Sequence, residues 1–273
     1  MEMPVRSQTT IAIASVLAVF GCADDRLPIR EASEHLILRV PSGLEVCGGT
    51  FSTMESEVIR IRELFGARAG TVDYTWMPRS HYGREEFPCV MGASGCAGGL
   101  LVFDRAIANT HELVHAARSG MPAAFEEGLA TLLTAPIAPE TPLAPREQLF
   151  DALVGSWPED GALYPRAAHF VSFLIADEGI DTFGEFDRRV RYIKGTRDAT
   201  FAEWVGVFED VYGATFEEMW TAYADYPDCP AVQFHRPLTA CAALAERTPE
   251  ATLVAPFLGE AGPDASFKRS FNC

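Results

Sequence analysis

Residues 111 to 115 read His111-Glu112-Leu113-Val114-His115, and Glu127 follows in the run Phe125-Glu126-Glu127-Gly128-Leu129-Ala130. On a helix, side chains four apart project from one face, so the two imidazoles can hold one metal ion together. A carboxylate from a second element can close a third ligand position and leave a fourth open for water. Glu112, next to the first histidine, is then placed to take a proton from that water. These are the parts of a hydrolytic zinc site: His111, His115 and Glu127 as ligands, Glu112 as general base, Zn2+ as cofactor. Glu126 is the fallback for the third ligand. The competing reading has the two histidines packing a surface helix, with both glutamates simply solvated.

The elements that must position these side chains can also be read. Residues 104 to 118 form a helical stretch with Asp104 as N-cap and no Gly or Pro before Gly120. Met121-Pro122 marks a turn, and Ala123 to Leu133 reads as a second helix. Two helices joined by a short turn can face each other, which brings Glu127 towards the histidines. Gly128 costs that helix about 1 kcal/mol against Ala, a cost that makes sense where backbone passes close to something such as the metal-bearing helix. Upstream, His35 to Val40, Thr71 to Met77 and Gly98 to Phe103 read as strands, and Thr50 to Phe65 has helical periodicity. Downstream, Pro136, Pro139, Pro142 and Pro145 exclude regular helix. A helical half follows at about 146 to 154, 164 to 178, 181 to 193, 199 to 211 and 215 to 224. In it Phe170, Phe173 and Leu174 share a face and are assigned to the core.

The extended pattern excludes two zincin classes. Arg118 stands where a metzincin has its glycine and Met121 where it has its third histidine, while the long thermolysin-type spacing finds no glutamate. HELVH followed by FEEGLA resembles the gluzincin metallopeptidases of the peptidase MA-like group. Two further stretches, Tyr164 to Leu174 and Val211 to Trp220, are similar to that group, and the resemblance covers about residues 35 to 225. It implies an α+β, zincin-like fold: a small α/β layer with an edge strand before the HExxH helix, then a mostly helical C-terminal half. Peptide substrate would add to that edge strand by backbone hydrogen bonding, with Gly98 to Phe103 or Thr71 to Met77 in the role. The resemblance also calls for a donor to the oxyanion, for which Tyr164 and His169 are candidates. Tyr164 is preferred, because a phenol stays protonated at neutral pH.

Composition bounds the setting. The chain has 273 residues, 48% of them hydrophobic, and 18 phenylalanines, ample for a buried core. A net charge of −16 argues against nucleic acid as a partner, since phosphate recognition needs clustered Lys and Arg. Ile11 to Phe20 is an apolar run too short to span a bilayer but suited to a signal peptide, with Arg6 as a thin positive region. It leads into Val19-Phe20-Gly21-Cys22, which resembles a bacterial lipobox and marks Cys22 for lipidation. The expected organisation is a lipoprotein signal peptide (1–22), a tether (23–34), a metallopeptidase domain (35–225) and a disulfide-tied tail (226–273). Six cysteines remain beyond Cys22, an even number in an exported chain. Cys89 with Cys96 is the preferred bridge; Cys229 with Cys241 comes second, leaving Cys47 to Cys273. No CxxC occurs, so a structural zinc site of that kind is not expected.

The expectation is therefore an exported, lipid-anchored, zinc-dependent peptidase of the bacterial cell envelope, acting on peptide or protein and held to the membrane by its anchor. The alternative is a non-catalytic envelope lipoprotein that uses a zincin fold for binding or assembly. The intact HExxH weighs against that alternative, because a decayed enzyme would lose Glu112 first.

Overall fold

The computed structural model describes residues 27–66, 70–80, 82, 87–89, 94–118, 120–135, 143–155, 157, 161–193 and 199–228. Cys22, most of the Pro-rich stretch, and Cys229, Cys241 and Cys273 of the tail lie outside them. Five strands of the described residues form one mixed sheet: β1 (Ile29–Ala32), β2 (Leu36–Arg39), β3 (Val72–Trp76), β4 (Gly95–Gly98) and β5 (Leu101–Asp104). Their order is β1-β2-β3-β5-β4. The three inner strands run parallel, and β1 and β4 are antiparallel additions at the two ends. Helix α1 (Thr50–Phe65) connects β2 to β3, the crossover that parallel neighbours need.

Alternation along the strands decides which face carries the core. Leu36, Leu38, Val72, Tyr74 and Val102 are fully buried, joined by Met54, Val58, Ile61 and Phe65 of α1. In the alternate register, Arg39 donates from Nε to Asp73 at 2.8 Å, pairing a buried cation with a buried anion.

Among the described residues seven further helices follow: α2 (Thr110–Ala117), α3 (Ala123–Thr134), α4 (Arg146–Val154), α5 (Leu163–Glu178), α6 (Ile180–Val190), α7 (Phe201–Tyr212) and α8 (Phe216–Ala224). Phe125 of α3 is a hub of their core, with ring centroids of Phe186 at 5.1 Å, Trp204 at 5.3 Å and Phe170 at 6.0 Å. Thr200 with Glu203 and Thr215 with Glu218 form capping boxes that start α7 and α8. Among the described residues, no helix is long and apolar enough to cross a membrane.

Several expectations are corrected. Residues 29–32, in the stretch expected as a tether, pair with β2 as β1. Neither Thr71–Met77 nor Gly98–Phe103 supplies the strand at the sheet's end: the first contains β3, in the centre, and the second overlaps β5, which β4 covers. The sequence of β4, Gly-Cys-Ala-Gly, has no β-branched or aromatic residue and so gives no strand signal of its own. It is a strand because it pairs with β5, Cys96 opposite Phe103 and Ala97 opposite Val102. Gly99, with φ 65°, makes the intervening turn. The preferred bridge is present: Cys89 and Cys96 are disulfide-bonded with Cα atoms 5.7 Å apart, tying the preceding chain to β4. Cys47 is disulfide-bonded too.

Candidate metal centre

The HExxH stretch begins where β5 hands over to α2. Asp104 is not the N-cap. It is the last residue of β5, and the cap is Asn109, whose Oδ1 accepts from the His111 backbone N–H at 3.2 Å. Asp104 acts one step back, accepting from Asn109 Nδ2 and from the Ala106 N–H, both at 2.7 Å. Tyr74 completes the clasp: its hydroxyl donates to the Ala106 carbonyl at 2.7 Å and accepts from the Asn109 N–H at 3.1 Å. Between them Ala108 is held at φ 56°, a left-handed conformation that costs a non-glycine residue about 1–2 kcal/mol. Such strain persists only where surrounding bonds over-determine it, and here they do. The signal for Asn109 was in the sequence, because Glu112 stands three residues on, the spacing of an N-cap followed by an N3 glutamate.

From this start α2 turns His111 and His115 to one side, their ring centroids 4.8 Å apart. Their Nε2 atoms are 3.1 Å from each other. Glu127 Oε2 of α3 lies 3.1 Å from His111 Nε2 and 3.3 Å from His115 Nε2. One ligand atom from each of these three residues falls within 4.8 Å of the others. The competing picture of solvated glutamates is excluded for Glu127, whose side chain is only 21% exposed and directed at both rings. Glu126 is not in that convergent group; its Oε1 lies 3.5 Å from the opposite nitrogen of His115, Nδ1.

The histidines and carboxylates of the site are strongly coupled. Burial works against a charge on His115, yet the carboxylates of Glu126 and Glu127 outweigh it and push the imidazole up to about 10. For Glu127, burial raises the carboxyl, but hydrogen bonding with His111 and His115 prevails and brings it down to about 2. Two nitrogens and a carboxylate oxygen converging on one point fit a zinc ion in donor type and number. Binding the ion would displace a proton from the site.

Glu112 is buried on the same helix. Burial raises its carboxyl, opposed by His115 and His111 and assisted by Glu127. It faces β4 at Gly95, where an added Cβ would come within 2.9 Å of Glu112 Cγ and 2.8 Å of Asp104 Cγ. A side chain there would displace both carboxylates, so glycine lets the end strand lie against the HExxH helix.

The two oxyanion candidates part company. Tyr164, in the first turn of α5, has its ring 6.0 Å from that of His111 and 5.5 Å from Trp157. His169 is fully buried away from the pattern, with Nδ1 2.8 Å from the Tyr223 hydroxyl and Nε2 2.9 Å from the Pro227 carbonyl. It is a core histidine.

Gly128 also has a different neighbour from the one expected. A Cβ on it would sit 2.6 Å from the Ala167 carbonyl oxygen and 2.9 Å from Val171 Cγ2. The close backbone is therefore α5, not α2, which carries His111 and His115.

No family model and no curated protein matches the chain. Among solved structures it is similar to a two-domain M1 zinc metallopeptidase determined as a mutant bound to L-arginine, at 16% identity and a TM-score of 0.46. It is also similar to the M1 zinc metallopeptidase from Deinococcus radiodurans, at 17% identity and a TM-score of 0.45. The matches cover 75% of this chain in both cases, and 54% and 53% of the respective partners, so the chain spans about half their length.

Proposed function

We propose that this chain is a zinc-dependent peptidase of gluzincin type. The observation that carries the reading is the convergence of His111, His115 and Glu127 within 4.8 Å, with Glu112 buried on the same helix turn. His111 Nε2, His115 Nε2 and a Glu127 carboxylate oxygen would hold the ion. When bound, zinc supplies Lewis acidity and lowers the pKa of a coordinated water towards neutrality. Glu112 accepts the proton of the attacking water and passes it to the leaving amine. Its burial suits that role, since a carboxyl that resists ionisation can hold the proton between the two transfers.

Among the described residues strand β4 ends the sheet beside Glu112, and its outer edge would offer backbone groups to an extended peptide. Tyr164 is the proposed donor to the oxyanion, reaching in from α5. Export and lipidation at Cys22 belong to the same proposal: a peptidase anchored to the cell envelope would meet peptide or protein rather than nucleic acid.

Zinc content and chelator-sensitive cleavage of a quenched peptide library test the reading. Glu112→Gln is expected to keep stoichiometric zinc and lose turnover by at least about 100-fold, the scale of a general base. Undiminished cleavage by that variant would falsify the mechanism. Stoichiometric zinc in the unmutated protein without cleavage of any peptide would favour the non-catalytic alternative.

A further inference from the structure

The FEEG run places two glutamates side by side, and successive helical residues diverge by about 100° around the axis. Both nevertheless reach His115, because α3 lies across that ring. Glu127 meets its Nε2 at 3.3 Å, and Glu126 meets its Nδ1 at 3.5 Å. The two carboxylates thus straddle one imidazole. With side-chain exposures of 11% for His115 and 18% for Glu126, the contact is largely out of water and little screened.

A histidine binds a metal through one nitrogen, and the other carries a proton that wants an acceptor. His115 presents Nε2 to the point where His111 and Glu127 converge, so Nδ1 is left to carry the proton, and Glu126 is the acceptor beside it. We propose that Glu126 is a positioning residue: it takes the Nδ1–H of His115, fixes the tautomer that aims Nε2 at the zinc, and strengthens that nitrogen as a donor. This rests on His111, His115 and Glu127 being the zinc ligands. It also assigns the glutamate pair two distinct jobs, where the sequence offered them as alternatives for one.

The test titrates the full-length protein with Zn2+ against a chromophoric chelator, and with Co2+ for its d–d absorption. The variants are Glu126→Ala, Glu126→Gln and, as the ligand-loss reference, Glu127→Ala. Glu126→Ala is expected to weaken zinc binding about 10–100-fold, the usual effect of removing such a partner. Glu126→Gln keeps an acceptor oxygen without the charge and should fall between. In both, the Co2+ bands keep their wild-type intensity because the ligand count is unchanged, whereas Glu127→Ala alters them. Apo-protein thermal unfolding, measured alongside, should match wild type for Glu126→Gln, which separates positioning from folding. Wild-type zinc affinity in both Glu126 variants overturns the inference and leaves the metal site standing. Co2+ bands in Glu126→Ala that resemble those of Glu127→Ala overturn it in favour of direct ligation. Absence of zinc binding in the unmutated protein overturns the metal-site reading itself.

Discussion

His115 and His169 are both histidines on helices and largely withdrawn from water, yet their surroundings push them in opposite directions. His115 faces two carboxylates and is raised; His169 faces a phenol and a carbonyl, with Arg166 and Arg146 nearby. For His169 burial dominates, only partly opposed by the Pro227 carbonyl, and holds the imidazole down to about 4. The sign follows from proton counting. Between pH 4 and 6.5 the unfolded chain protonates this histidine and the folded chain does not, so folding is progressively disfavoured as pH falls through that window. A drop from the ordinary histidine value of 6.5 to about 4 corresponds to about 3 kcal/mol at full effect. Urea unfolding of wild type and His169→Gln at pH 7.5 and pH 4 checks this. The stability gap between the two proteins should shrink by on the order of 2–3 kcal/mol at the lower pH; a gap that does not change with pH would contradict the assignment.

At the scale of elements, α3 decides where Glu126 and Glu127 sit, and α5 decides where α3 sits. Gly128 is the contact point, and two opposing effects bear on it. An alanine would improve helix propensity by about 1 kcal/mol. It would also drive a methyl group into the Ala167 carbonyl, an overpacking that costs about 1–3 kcal/mol and cannot be relieved by rotating a side chain. The clash should win, so Gly128→Ala is expected to lower stability by up to about 2 kcal/mol and, with Glu127 as the proposed zinc ligand, to weaken zinc binding by displacing it. Thermal unfolding with and without zinc measures both, and a stabilised variant would show that α3 and α5 can separate freely. The helices of this half were legible because each has its own apolar periodicity and Gly or Pro boundaries. Strand β4 was not, because its pairing comes from β5 and its own residues carry no preference.

Across the whole molecule, Arg118 joins the sheet-side layer to the helical half. Placed at the end of α2, it donates to the Phe65 carbonyl of α1 at 2.6 Å and stacks over the Phe65 ring at 4.7 Å. It also forms an ion pair with Asp187 of α6, which Arg191 approaches at 3.0 Å. Both Arg118 and Asp187 are buried, so removing Arg118 leaves a buried carboxylate that relies on Arg191, a more exposed cation. Arg118→Met is expected to cost about 3 kcal/mol, and Arg118→Met with Asp187→Leu distinctly less than the sum of the single changes. Additive single costs in denaturant unfolding would show that the pair is not coupled.

The sequence by itself determined the chemistry on offer. HExxH needs only helical periodicity to align two imidazoles, and Glu127 needs only a short turn to face them, so both depend on local geometry that the chain spells out. The same holds for the Cys89–Cys96 bridge, a short loop closure, and for α1 through α8, whose helical periods and punctuation are local. What the tertiary structure alone decided is which groups meet across elements: Asp104 behind the Asn109 cap, Gly95 against Glu112, Gly128 against α5, Arg118 on Asp187, and Glu126 on the far nitrogen of His115. The reason is physical. A helix period or a cap is set by neighbours within four residues, whereas these contacts are set by how separate elements pack, and no single segment encodes the partner it will find.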